Sequence, residues 1–239
     1  MTSQQRLRQL ECEIGACELC PRLKLWREGI SVTKRRAYRD EPYWGKPVPG
    51  FGDPAARLLI VGLAPGAHGA NRTGRVFTGD SSGDFLYSVL HHAGFASQPE
   101  STHRGDGMKL NSAWMSCAAR CAPPDNRPTP VELATCRPYL ERELALLKDI
   151  RVVVALGQIA FEQVLTALPP AASDLRARPK FGHGAAYRLV SSQWLLASYH
   201  PSRQNTNTGR LTPRMMLDVF LHARALCQSD GGHVPAPAR

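Results

Sequence analysis

Four short apolar runs set the strongest limit on how this chain can fold. They are Arg57–Val61, Ala113–Ala118, Ile150–Leu156 and Trp194–Tyr199. Each has the length of a strand. Helical patterns lie among them, at Asp84–His92, Thr129–Leu147 and Gly157–Leu168, with another beginning at Thr212. The second of these carries its own start signal. Thr129 suits the N-cap, Pro130 the first helical position, and Glu132 the third position of a capping box. Thr212 and Pro213 repeat the Thr-Pro start. Strands alternating with helices imply an α/β fold, with a parallel sheet covered on both faces. In such sheets ligands bind beyond the carboxyl ends of the strands. The loops after Val61, Ala118, Leu156 and Tyr199 are therefore where function is expected.

The loop after Val61 reads GLAPGAHGANRTGRVFTGD, Gly62 to Asp80. Its glycines let backbone approach a ligand closely. It has neither GxxxxGK[ST] nor GxGxxG, so phosphate-loop hydrolysis loses its usual support. The loop after Ala118, ARCAPPDNRPTP, is stiffened by four prolines and could hold Asn126 at a fixed point. The competing reading of Asn126 is an ordinary turn asparagine. The last loop, SYHPSRQNTNTGRLTP, gathers His200, Ser202, Arg203, Asn205 and Arg210 just past a strand. A lone histidine is usually structural, but one at a strand's carboxyl end before a polar run favours function. Ser202, Arg203 and Arg210 suit phosphate contacts.

Charge narrows the class of partner. The 239 residues include 30 Lys and Arg against 20 Asp and Glu, a formal net charge of +10. Such a balance attracts phosphate backbones, although a basic surface can also serve solubility alone. Lys34-Arg-Arg36 is either a backbone contact or a solvated face. No apolar run is long enough to span a bilayer, and the N-terminus lacks the apolar core of a secretory signal. A cytoplasmic protein is expected. Of seven cysteines, Cys17 and Cys20 form a CxxC followed by proline, while Cys121 and Cys136 stand apart with fourteen residues between them. That pattern can wrap zinc or an iron–sulfur cluster, or it can be a set of inert buried thiols. Cys117 reads as strand core, and Cys12 and Cys227 receive no role.

The blocks CELCPRL, EPYWGKPVPGFGDP, GLAPGAHGANRTGRVFTGD, RCAPPDNRPTP and SYHPSRQNTNTGRLT together resemble the uracil-DNA glycosylase superfamily. The closest resemblance is to its fifth family, the type-b iron–sulfur enzymes of bacteria and archaea. It covers residues 10 to 228, and several long blocks in one order make it specific. It implies a single domain over 1–228 built on a four-stranded parallel sheet, while the composition of SDGGHVPAPAR at 229–239 reads as a disordered tail. It also implies a [4Fe–4S] cluster on Cys17, Cys20, Cys121 and Cys136.

The activity implied is hydrolysis of the bond between uracil and deoxyribose in DNA, after the base is flipped out of the helix. Phe77 would stack on the uracil. Backbone amides around Gly62, Ala64 and Gly66 would read its polar edge, with Asn71 and Asn205 as further contacts. His200 would stabilise the departing uracil anion. Side chains of Leu63 and Ala64 are chemically silent, so the acid must come from the far end of the loop. Asp80 is the expected water activator, Asn126 its partner and Asn71 the reserve. Ser202, Arg203 and Arg210 would hold DNA. Where some members read uracil with an asparagine, this chain has Cys117 or Ala118, which suits a wider range including hypoxanthine. No Schiff-base lysine is evident, so excision without strand nicking is expected. A monomer acting without a membrane completes the picture. The competing readings are a non-catalytic iron–sulfur DNA-binding or redox module and a nucleotide-binding α/β enzyme.

Overall fold

A computed structural model describes residues 1–168, 178–189 and 192–229. Its centre is a sheet of six strands: β1 (Phe51–Gly52), β2 (Leu58–Gly62), β3 (Ala113–Cys117), β4 (Val152–Leu156), β5 (Ala186–Arg188) and β6 (Trp194–Ser198). They lie in the order β1-β3-β2-β4-β6-β5. The four expected strands form the parallel centre, with Val61 opposite both Ser116 and Ala155, and Ala155 opposite Ala197. The two additions are short antiparallel edges, β1 on β3 and β5 on β6. The sheet is therefore mixed rather than purely parallel.

The helices are α1 (Ser3–Gly15), α2 (Pro21–Thr33), α3 (Ala70–Thr73), α4 (Ser81–His92), α5 (Pro130–Leu146), α6 (Gln158–Ala167), α7 (Arg203–Asn207) and α8 (Pro213–Gln228). Every residue of β2, β3 and β4 is buried because both sheet faces are covered. Leu58 and Ile60 point into one core with Leu86, Leu90 and Phe220 of α4 and α8. Leu59 and Val61 point into the other with Leu7, Leu140 and Phe161 of α1, α5 and α6. Each fully buried Leu or Ile contributes about 1.5–3 kcal/mol.

Local signals explain where helices start. Thr129 Oγ1 accepts from Glu132 N–H at 3.2 Å, and Glu132 returns a bond to the Thr129 N–H at 2.7 Å. Thr212 caps α8 through the Met215 N–H. Glu132 also pairs with Arg22 at 2.7 Å, which fastens α2 to the start of α5. No described helix is long and apolar enough to cross a membrane. Of the expected disordered tail, residues 230–239 lie outside the described residues.

Candidate active site

Three loops from different strands meet over the carboxyl end of the sheet. They line one cavity of about 640 Å³, whose walls include Ala64, Gly66, Phe77, Asp80, Asn126 and His200. Topology causes the meeting, because neighbouring parallel strands release their loops at one edge.

Asp80 is the N-cap of α4. Its Oδ1 accepts from the N–H groups of Ser82 and Gly83, both at 3.0 Å. Its Oδ2 carries no hydrogen bond among the described residues and packs against the Gly69 backbone, where any Cβ would collide with it. Burial raises the carboxyl above its ordinary value. The Gly83 and Ser82 N–H groups, then the charges of Arg72 and Arg203, act the other way. The outcome is a capped carboxylate with one oxygen free and a raised proton affinity, a combination that suits a general base.

Phe77 is held with φ at +50°, in the left-handed region that disfavours side-chain-bearing residues. Strain of this kind concentrates at functional sites. Its ring lies against Gly62 at the end of β2, and a Cβ there would sit 2.6 Å from the ring. The Phe77 and His200 ring centroids are 5.8 Å apart and tilted by 33°. Burial lowers the His200 imidazole to about 4, so the ring is neutral at neutral pH. Neither of its nitrogens has a partner among the described residues, while the Asn205 amide donates to the His200 carbonyl at 2.8 Å. A half-buried, unpartnered neutral imidazole can donate one N–H to a ligand oxygen.

Not every expected residue reaches this cavity. Asn71 is fully buried, and its amide donates to the carbonyls of Arg27 at 3.2 Å and Ala67 at 3.4 Å. It fastens α2 under the first loop instead. Asn205 likewise holds the backbone of His200 and stands outside the lining. Arg210 stacks 4.7 Å over Tyr199. Ser202 lines the cavity and caps α7 through the Asn205 N–H, and Arg203 lines it while donating to Ser81 Oγ at 2.9 Å. Asn126 is exposed and adopts φ of +55°, directly after Asp125 at +52°. Two consecutive left-handed residues project it from the proline-stiffened turn. The lining also includes Cys117, at the position where some members read uracil, and Arg35, Ser81, Ser82 and Gln204, which sequence reading did not single out for the pocket. The basic run at 34–36 was the only signal for Arg35.

A second cavity is lined by Cys17, Cys20, Cys121 and Cys136. Among the described residues, no group of three or more His, Cys, Asp or Glu is gathered in the way that would hold a metal ion. The chemistry of the lining is nonetheless suited to an anionic, sulfur-rich group. Four thiols face one space. Two buried arginines, Arg27 and Arg120, line it with Nε–H groups that have no hydrogen-bond partner among the described residues. An orphaned buried donor costs about 1–3 kcal/mol, which an anion would relieve. Burial pushes the Cys121 thiol up to about 12 and Cys136 to about 11. Binding a metal or cluster there would release those thiol protons.

Comparison with known proteins supplies the lineage. The family model described as the uracil DNA glycosylase superfamily matches residues 49–224. The chain belongs to that superfamily. Among superfamily proteins it is similar to a type-5 uracil-DNA glycosylase of Thermus thermophilus, 57% identical over 213 residues, 89% of this chain and 94% of the relative. It is 51% identical over 219 residues to a type-5 uracil-DNA glycosylase of Mycobacterium bovis, covering 91% of this chain and 81% of the relative. A type-5 uracil-DNA glycosylase of Pyrobaculum aerophilum is 42% identical over 209 residues, 87% of this chain and 88% of that one. The superfamily match begins just before β1 and ends within α8, so it includes the three loops of the cavity. Cys17 and Cys20 precede it, whereas the relatives' alignments span most of the chain.

Proposed function

We propose that this chain excises uracil from DNA by hydrolysing the N-glycosidic bond, leaving an abasic site. The observation that carries the proposal is the meeting of Asp80, His200 and the strained Phe77 around one cavity in a uracil-DNA glycosylase superfamily fold. The base leaves the stack, at a cost of a few kcal/mol, and enters the cavity beside Phe77. As the bond breaks, positive charge grows on the sugar and negative charge on the uracil. His200, neutral, donates an N–H to the uracil O2 and stabilises the anion. Asp80 accepts a proton from water through Oδ2, the hydroxide oxygen bonds to C1′, and the uracil anion departs to be protonated. Asn126 orients the water or base. The test is incubation with a uracil-containing oligonucleotide followed by alkali. Strand cleavage at the uracil is expected, and none above control at high enzyme concentration would overturn the reading.

Cys117 lines the cavity as a buried neutral thiol. It offers no amide pair to demand uracil's edge, so a broader range of deaminated bases, hypoxanthine included, is proposed. The four cysteines are proposed to hold a [4Fe–4S] cluster, with Arg27 and Arg120 donating to its anionic sulfurs. When bound, such a cluster would cross-link the N-terminal segment to the loop after β3 and to α5. Anaerobically purified protein should be brown and contain iron and sulfide, and colourless protein with stoichiometric zinc would refute this. The enzyme is proposed to act as a cytoplasmic monomer on DNA.

A further inference from the structure

Arg35 lines the cavity from outside the three catalytic loops, and its surroundings are unusual. The side chain is exposed, lines the cavity beside the catalytic loops, and its guanidinium makes no hydrogen bond or ion pair among the described residues. Its base, by contrast, is fastened. Lys34 ends α2 with φ of +50°, which turns the chain, and its ammonium donates to the carbonyls of Arg39 at 3.0 Å and Glu41 at 2.8 Å. Glu41 forms an ion pair with Arg72 of the first loop, and Tyr38 lies 3.9 Å beneath the same guanidinium. The hydroxyl of Tyr43 bonds to His68 Nδ1 at 3.0 Å. Residues 34–43 are thus bolted to the loop that carries Phe77 and Asp80, while the cation at their head is free.

A free cation on a fixed mount at a reaction cavity is arranged for an anion that arrives with the substrate. Arg203 supplies a second exposed guanidinium to the same lining. The anion that always accompanies a flipped nucleotide is its own flanking phosphodiester, and arginine can meet two phosphate oxygens at once. We infer that Arg35 is a positioning residue that clamps the DNA phosphate beside the flipped nucleotide. This rests on the glycosylase reading of the cavity and adds the strand contact that holds the nucleotide there.

The test uses the full chain and uracil-containing oligonucleotides. Arg35→Ala should raise KM roughly tenfold, the size of one lost charge-assisted contact, with kcat near the wild-type value at saturation. The slope of log affinity against log salt should shrink by about one. Replacing the phosphate flanking the uracil with a neutral methylphosphonate should weaken wild type but weaken Arg35→Ala no further. Arg36→Ala and Arg39→Ala, on the same segment but outside the cavity lining, serve as charge controls. An Arg35→Ala salt slope no more altered than theirs, or a loss confined to kcat, would overturn the clamp. So would equal methylphosphonate penalties in wild type and variant. Failure of wild type to release uracil would overturn the glycosylase reading instead, and the salt slopes of binding to uracil-containing DNA would still judge the phosphate contact of Arg35.

Discussion

Two carboxylates serve one loop and are treated in opposite ways. Asp106 meets Arg75 through two hydrogen bonds, at 2.9 and 2.5 Å, and both side chains are almost fully buried. Desolvation would raise its carboxyl, but the Arg75 bonds and the Met108 and Thr102 N–H groups hold it far below the ordinary range. Thr78 and Ser101 complete that network around Arg75. Asp80, five residues beyond Arg75, has no arginine bonded to it. It has two backbone N–H donors on one oxygen and burial that raises its proton affinity. The difference separates structure from chemistry. A saturated carboxylate anchors the loop, and a half-satisfied one is left able to take a proton.

The contrast can be broken most forcefully at Asp80. Asp80→Asn should slow single-turnover excision by roughly 10²–10⁴, the usual contribution of a general base. Asparagine is also a good N-cap and carries no charge to desolvate, so thermal stability should hold or rise. An unaffected rate would rule out Asp80 as the base and leave Asn126 to position the water without proton transfer. Next in size is Asp106→Asn, which leaves Arg75 as a buried cation without its partner. Urea unfolding should show a loss of about 3–5 kcal/mol, with the rate of the folded enzyme largely kept. A rate loss as deep as that of Asp80→Asn, without loss of stability, would erase the distinction.

The smaller effects are in pH. His200 stays neutral down to about 4. The acid limb of single-turnover excision should therefore follow Asp80 and lie above the ordinary aspartate range. Arg203→Ala removes a charge that lowers the Asp80 carboxyl, so this limb should move further up, and a downward move would refute it. Stability should respond oppositely for the two acids. Asp106 is lowered on folding. Its contribution is complete above the unfolded value and is lost only as pH falls through the depressed folded value. Asp80 is raised, so its contribution is present below the unfolded value and lost as pH rises through the folded one. Asp80→Asn should accordingly flatten the stability profile of mildly acidic solutions on the alkaline side of the ordinary aspartate range.

The fold was readable because its signals are local. Leu58–Gly62 and Val152–Leu156 are continuous apolar runs, and Thr129 announces α5 by side-chain chemistry alone. The edge strands were hidden, since two or three residues such as Phe51–Gly52 carry no periodicity and exist only by pairing with β3 or β6. The site was half legible. Asp80, Phe77, Asn126 and His200 could be placed by their strand-end positions and by family resemblance, and the structure brings them to one cavity. Asn71, Asn205 and Arg210 share that loop composition, yet packing turns them to other partners. Which way an asparagine faces depends on residues far off in sequence, here Arg27 for Asn71. Arg35 was readable only as part of a basic run, either a backbone contact or a solvated face, because only the fastening of 34–43 onto the first loop brings it to the pocket.

The division of labour within Asp80 has a genetic reading. Oδ1 belongs to the helix and, in the proposed mechanism, Oδ2 to the reaction, so an asparagine there would preserve the architecture and silence the enzyme. Aspartate and asparagine codons differ by a single G-to-A change. On the opposite strand that change is a cytosine replaced by thymine, the trace left when a deaminated cytosine goes unrepaired. On the proposed mechanism, the protein would thus be one lesion of the kind it removes away from a folded, inert copy of itself.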